Sequence, residues 1–587
     1  MRKTILCISA ILFAVTEIAA ENKDTVRVSD FGARPYSFTN CVTQVKAAIE
    51  ECRTKQAKVL AFESGRYDFW PENATRKEYF ISNTSSEEEC PSKVKTIGIL
   101  LESLNGLDII GDDTDLIFHG KMTMLAIEKC KNIRLSGLHF DFERPCGSEL
   151  TYVDSTDSTG VMVKVHPDTR FEIANGQMHL FGEGWRSNIN HCIEYDPDTQ
   201  HFFYSQGWKA LESSPAKRIA SDKVKFNTPK SFAPKKGNTL TIRDIIRDQV
   251  GMFILESYGI TMDSLFIHYM HGLGIVSQYT KDITMKAVTC APREDSGRIL
   301  ASSADFMHFS GCSGKVSIIG CRFAGAQDDP INVHGTNLRA ISMEDEKTLV
   351  LRFMHPQSYG YNAFFTGDTV AFIKSATMER FASAIVTSVD KLNDREIRVT
   401  FNQKIPESIE LNHDCVENMT CTPEVEIREC YFTRTSTRGT LITTPRRVVI
   451  SNNIYLKTGM SAILIEGDAE GWYESGPVKD VLITNNTFID CTYTYGPGNA
   501  VIAINPSNTI IDENRPVHNN IRIIGNKFIT HGNPVLFAKS TAGLVFEHNT
   551  VEFMDSYTKC KDYFILQGCK NASIKENKFL TNNLSKE

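Results

Sequence analysis

One pattern of apolar and polar positions recurs along the chain. An apolar residue is followed three positions on by Asn or a small apolar residue, and two positions later by an aromatic or aliphatic one. It appears as Leu135-Leu138-Phe140, Met262-Leu265-Ile267, Met285-Val288-Cys290 and Ile318-Cys321-Phe323. It continues as Ile427-Cys430-Phe432, Ile450-Asn453-Tyr455, Ile483-Asn486-Phe488, Ile523-Asn526-Phe528, Phe546-Asn549-Val551 and Ile574-Asn577-Phe579. The spacing is 23 residues from 262 to 285, 427 to 450 and 523 to 546, and 28 to 40 at other steps, where longer loops intervene, apart from the two long interruptions described below. Short strands at such a period, with little helical pattern between them, predict a parallel β-helix. Each coil supplies about three strands, and coils stack at about 4.8 Å. The expected fold is therefore all-β, a right-handed parallel β-helix. Asn453, Asn486, Asn526, Asn549 and Asn577 fall at one position per coil, where side-chain amides can bond up a ladder.

A second strand follows each copy: residues 274–280, 305–311, 329–335, 462–468 and 500–506. Two stretches break the repeat, 146–250 and 336–421, each reading as four to six alternating antiparallel strands. They are expected as small β-barrel-like insertions. Between and around them run the coils 21–145, 251–335 and 422–587. The apolar spacing of Val42, Val45, Ala48, Ile49 and Cys52 predicts one helix, Cys41 to Arg53, as a cap over the open end of the first coil.

Composition changes this picture little. The chain has 587 residues and a net charge of −7, which disfavours nucleic acid and polyanionic partners. Arg2 and Lys3, the apolar run Ile5 to Val15, and Ala19-Ala20 form the pattern of a secretory signal peptide over residues 1–20. That run is too short to span a bilayer, and no later stretch is long enough. An exported protein, periplasmic or at the cell surface, is expected. Fifteen cysteines remain beyond Cys7, an odd number, and several occupy repeat positions held elsewhere by Val, Leu or Asn. Most are therefore expected to be buried thiols, not a disulfide framework.

Candidate chemistry concentrates on the second strand. Asp305 and Asp329 align one coil apart, and Asp328 adjoins Asp329 in the run Gln327-Asp328-Asp329-Pro330. Stacking like charges is costly, so three carboxyls on adjacent coils suggest a site; a charged turn or a calcium site is the plainer alternative. Glu466 aligns with His334 and lies about two coils, or about 10 Å of backbone, from Asp329. Inverting glycosidases hold acid and base about 6.5–9.5 Å apart. Gln278, His308, Asn332 and His334 share this face and could bond sugar hydroxyls. Trp472, in the loop after Glu466, could stack on a sugar ring.

Residues 28–33 (Val-Ser-Asp-Phe-Gly-Ala) and 62–67 (Phe-Glu-Ser-Gly-Arg-Tyr) resemble the opening of pectate-lyase-like β-helices. Asp305 with Gln327-Asp328-Asp329 resembles the aspartate arrangement of polygalacturonases. Ser303-Ala304-Asp305-Phe306-Met307-His308 together with residues 327–335 resembles glycoside hydrolase family 110 more closely, as does a β-helix with β-barrel insertions. That resemblance implies an exo-acting, inverting α-1,3-galactosidase that releases terminal galactose from blood group B glycans, some members also cleaving linear Galα1-3Gal. It carries catalytic roles to Asp305, Asp328 and Asp329; Glu466 rests on the ladder alignment. It implies no cofactor and no metal. The expected partner is an oligosaccharide or glycoconjugate, and a second copy of the chain is a further candidate. Two other readings stay open. An endo-acting pectinase or lyase predicts a cleft lined by Lys and Arg, although few basic residues flank the aspartates. A non-catalytic glycan-binding β-helix predicts binding without bond cleavage.

Overall fold

The computed structural model describes residues 24–154, 160–554 and 560–580. The expected leader, 1–20, lies outside them. Among the described residues, no helix is long and apolar enough to cross a membrane.

The repeat is the framework of a parallel β-helix. Leu135, Met262, Met285, Ile318, Ile427, Ile450, Ile483, Ile523, Phe546 and Ile574 pair each with the next in parallel register. Phe140, Ile267, Cys290, Phe323, Phe432, Tyr455, Phe488, Phe528, Val551 and Phe579 form a second such row. Because coils rise by one interstrand spacing, aromatic rings in this row stack: Phe432 on Tyr455 at 4.4 Å and Phe488 on Phe528 at 4.9 Å. Each coil buries its apolar face only against its neighbours, so one continuous core runs the length of the helix.

The Asn row closes the turns. Asn453 Nδ2 donates to Asn486 Oδ1 at 2.9 Å, Asn486 Nδ2 to Asn526 Oδ1 at 3.0 Å, and Asn526 Nδ2 to Asn549 Oδ1 at 3.1 Å. Each amide also satisfies buried backbone groups, as Asn526 does for Asn486 N–H and Ile483 C=O. Where the row reaches Cys430 and Cys321, buried thiols replace amides. All fifteen described cysteines are free.

The expected cap is a helix, Val42–Lys55, burying Val42, Val45, Ala48, Ile49 and Cys52 against the first coils. The first interruption holds more strands than its alternation predicts. Seven form one antiparallel sheet, three form another, and a short helix, Gly207–Glu212, connects two strands of the larger sheet. The extra strands run only four or five residues, too short for alternation to show. The second interruption grows directly from the coil. Strand Ile331–Asp345 starts in the parallel ladder and leaves it to pair with Thr348–Arg352 and Cys415–Asn418. With Thr369–Lys374, Glu379–Lys391 and Glu396–Phe401 it closes a six-stranded antiparallel barrel. Both interruptions therefore leave the helix beside the segment that bears the aspartates.

Candidate active site

The second strand of each coil begins at the site. Met307 pairs with Ile331, and Ile331 with Thr440. Two residues upstream, the same register stacks Asp305, Asp329 and Arg438 on three successive coils. Phe306 N–H donates to Asp329 C=O at 3.1 Å, which fixes the first step. Arg438 makes the stack tolerable. Its Nη2 donates to Asp329 Oδ2 at 2.7 Å, while its own backbone N–H (3.1 Å) and Thr437 Oγ1 (2.8 Å) donate to Asp329 Oδ1. Asp328, one residue earlier, faces Arg247, whose Nη2 lies 3.3 Å from Asp328 Oδ2. In the same extended register, His334 leads through Thr443 to Glu466.

Three segments close the wall. Arg243 and Arg247 follow the last strand of the first insertion, Thr239–Ile242. Gln327 Nε2 donates to Thr241 C=O at 2.8 Å, tying the aspartate turn to that strand. Asn83 comes from the segment after Tyr79 and donates through Nδ2 to Glu474 Oε1 at 2.7 Å. Glu474 and Trp472 lie in the loop after Glu466. Asp468 shapes this loop by accepting from the backbone N–H groups of Glu470 and Gly471 (2.8 Å each) and of Trp472. Trp472 stacks on His355 at 3.9 Å and is 42% exposed, so it forms the rim.

The result is a cavity of about 240 Å³ lined by Asp305, Asp328, Asp329, Asn332, Glu466 and Trp472 among others. Asp468, Glu474, Arg247, Arg438, Asn83 and Thr443 also face it. Three of the expected sugar-binding residues lie elsewhere. Gln278 is buried with both amide atoms used: Oε1 accepts from Ser82 N–H at 2.9 Å, and Nε2 donates to Phe80 C=O at 3.1 Å. It anchors the segment that carries Asn83 and is no sugar ligand. His308 and His334 are buried beneath the cavity wall. They share a strand face with Asn332 and Glu466, opposite the core-facing Met307, Phe309, Ile331 and Val333, but that face is covered where they lie, and they bond Asp305 and each other.

The carboxyls are pushed apart in proton affinity. Burial, with the Asp328 charge, raises Asp305 to about 8. Burial raises Glu466 to about 7 against the pull of Arg438. Burial also raises Asp329, with Arg438 opposing. Burial works the same way on Asp328, but the charges of Arg438, Arg247 and Arg243 outweigh it and hold Asp328 below the usual carboxylate range. At neutral pH one site thus holds an ionised carboxyl beside carboxyls that keep protons, the condition for acid–base work. Ligand atoms of His308, His334 and Glu474 lie within 4.8 Å of one another, close enough to touch a cation. Hydrogen bonds occupy the two imidazoles instead.

Arg438, Arg247, Glu474 and Asn83 are the residues that sequence patterning missed. Arg438 was within reach, since it sits at the offset of Asp305 and Asp329. The other three come from loops without a period. Six acidic side chains against two arginines line the cavity, and both arginines pair with aspartates, so no free positive charge awaits a uronate.

Family comparisons agree with this geometry. A model described as GLAA-B beta-barrel domain I matches residues 148–240, and one described as GLAA-B beta-barrel domain II matches 348–416. Alpha-1,3-galactosidase A of Bacteroides fragilis is 64% identical, over 98% of this chain and 95% of that protein. Alpha-1,3-galactosidase B of Bacteroides thetaiotaomicron is 36% identical, over 97% of this chain and 93% of that protein. The family 28 exopolygalacturonase of Yersinia enterocolitica superposes with a TM-score of 0.38 at 11% identity, over 94% of this chain and 78% of that one, too loosely to bear on chemistry. A parallel β-helix with aspartates stacked before one row of strands and Glu466 after the same row, and relatives of this closeness, define a glycoside hydrolase. The chain belongs to the α-1,3-galactosidases of glycoside hydrolase family 110.

Proposed function

We propose that this enzyme is an exo-acting, inverting α-1,3-galactosidase that removes terminal galactose from blood group B type glycans, with linear Galα1-3Gal ends as a second candidate substrate. The observation that carries the exo reading is the cavity. At about 240 Å³ it falls below the roughly 300–1,000 Å³ of pockets for drug-sized ligands, which suits one pyranose and not a polymer running through. The acidic lining suits a neutral sugar. The names of the relatives supply the linkage.

Inversion needs one carboxyl to protonate the glycosidic oxygen and another to deprotonate a water on the opposite ring face. In this reading the base is Asp328 or Asp329 and the acid is Glu466 or Asp305. The low proton affinity of Asp328 and the high affinity of Asp305 and Glu466 support that division in the empty site. The pattern at residues 1–20 supports export to where such glycans are met.

The test is incubation with branched and linear Galα1-3Gal oligosaccharides, reading the first anomer released by NMR. β-Galactose is expected. α-Galactose as first product would refute inversion, and release of internal fragments would refute the exo mode.

A further inference from the structure

Beneath Asp305 runs a chain of three buried hydrogen bonds. His308 Nδ1 lies 2.8 Å from Asp305 Oδ2, His334 Nε2 lies 2.9 Å from His308 Nε2, and His334 Nδ1 lies 2.7 Å from Gly335 C=O. Asp305 borders the cavity, whereas His308 and His334 are 0% and 2% exposed, so the two imidazoles lie out of reach of solvent. Hydrogen-bond directions then follow. A carbonyl only accepts, so His334 Nδ1 carries a hydrogen. The two facing Nε2 atoms hold one hydrogen between them, and the contact with Asp305 holds one more. With His334 neutral, its Nε2 is bare and His308 Nε2 is the donor. His308 Nδ1 is then bare, and the hydrogen of the last contact belongs to Asp305.

We propose that His308 and His334 are positioning residues forming a buried proton wire for Asp305, with His334 as the place where the Asp305 proton is held when the aspartate must be ionised. The inference rests on the hydrolase reading above. The transfer balances. Asp305 O–H passes its proton to His308 Nδ1, and His308 Nε2 passes its own to His334 Nε2. Asp305 becomes a carboxylate, His308 stays neutral in its other tautomer, and His334 becomes an imidazolium. Glu474 receives that charge: its Oε1 lies 3.7 Å from His334 Nε2, and Asn83 holds it in place. Burial works against the charge of Glu474, but the Asn83 hydrogen bond and the Arg438 charge favour it, and its carboxyl lies below the usual range. The charged groups facing the wire are Asp328, Asp329, Glu474, Arg243, Arg247 and Arg438. Burial lowers both imidazoles, His308 to about 4, which keeps the proton on Asp305 at rest, while the Glu474 charge favours the imidazolium at His334. Asp305 can thereby change state without exchanging protons with solvent.

Histidine-selective ¹⁵N NMR of the full enzyme tests the resting arrangement whatever its substrate. Without ligand at pH 7, His308 is expected as the Nε2–H tautomer and His334 as the Nδ1–H tautomer. An imidazolium at either, or the opposite tautomers, would overturn the proposal. H334Q keeps an acceptor for His308 but cannot hold the proton. It is expected to lower kcat about 10²-fold, the scale of acid–base contributions, with KM and galactose affinity within about twofold. H308N donates to Asp305 and should shift the pH profile of kcat to lower pH. Wild-type kcat and pH profile in both variants, or a stoichiometric metal ion that either substitution removes, would refute the wire. Loss of galactosidase activity in the wild type under every condition would instead count against the hydrolase reading and leave the NMR result standing.

Discussion

Replacing Asp305 by Asn should stabilise the protein, by an amount that grows with pH. Asp305 titrates near 8 in the fold and near 3.8 when exposed, because burial and Asp328 disfavour its charge. Between those values the folded chain holds a proton that the unfolded chain has released. Stability therefore falls as pH rises through this window, by about 1.4 kcal/mol per pH unit from this one group. From pH 5 to pH 7 that amounts to about 3 kcal/mol. Asn cannot ionise, and its amide can donate to His308 Nδ1 as the protonated carboxyl does, so D305N escapes the penalty without opening a cavity. The assay is urea unfolding of wild type and D305N at pH 5, 6 and 7, read as the difference in midpoints, since a repeat array need not unfold in two states. D305N should be the more resistant, with the gap widening at each step. A constant gap, or one that narrows, would refute the claim that Asp305 is buried in its protonated form.

Three further outcomes follow from the same geometry. D329N should reduce kcat on a Galα1-3Gal substrate by about 10²–10⁴-fold, the range of an acid or base group, with an unchanged circular dichroism spectrum; near-wild-type turnover would remove Asp329 from the catalytic set. N526A orphans Asn486 N–H and Asn486 Nδ2 in the core, at about 1–3 kcal/mol for each buried group left unsatisfied. N577A at the last described coil leaves donors that water can reach, so its denaturation midpoint should fall much less. W472A, on the half-open rim, should raise KM several-fold in steady-state kinetics while kcat changes little.

The β-helix was legible because its stabilising contacts repeat. A residue that must stack on its own counterpart one coil away leaves a periodic trace, as Ile427, Ile450, Ile483 and Ile523 do. The Asn row reads the same way, since each amide bonds the next. The stacking of Asp305 on Asp329 is also a property of period, and so is the two-coil step to Glu466. Short strands of the first insertion left no such trace, because four residues show two alternations at most.

The sequence by itself determined the coil, its period, and which carboxyls share a row of strands. The tertiary structure decided what those carboxyls are. Arg247, Asn83 and Glu474 arrive on loops from three distant parts of the chain, and only their convergence closes the cavity and sets its charge. It also turned His308 and His334 from expected sugar ligands into an internal chain. A strand fixes which residues alternate, but which face becomes solvent and which becomes core depends on what packs against it.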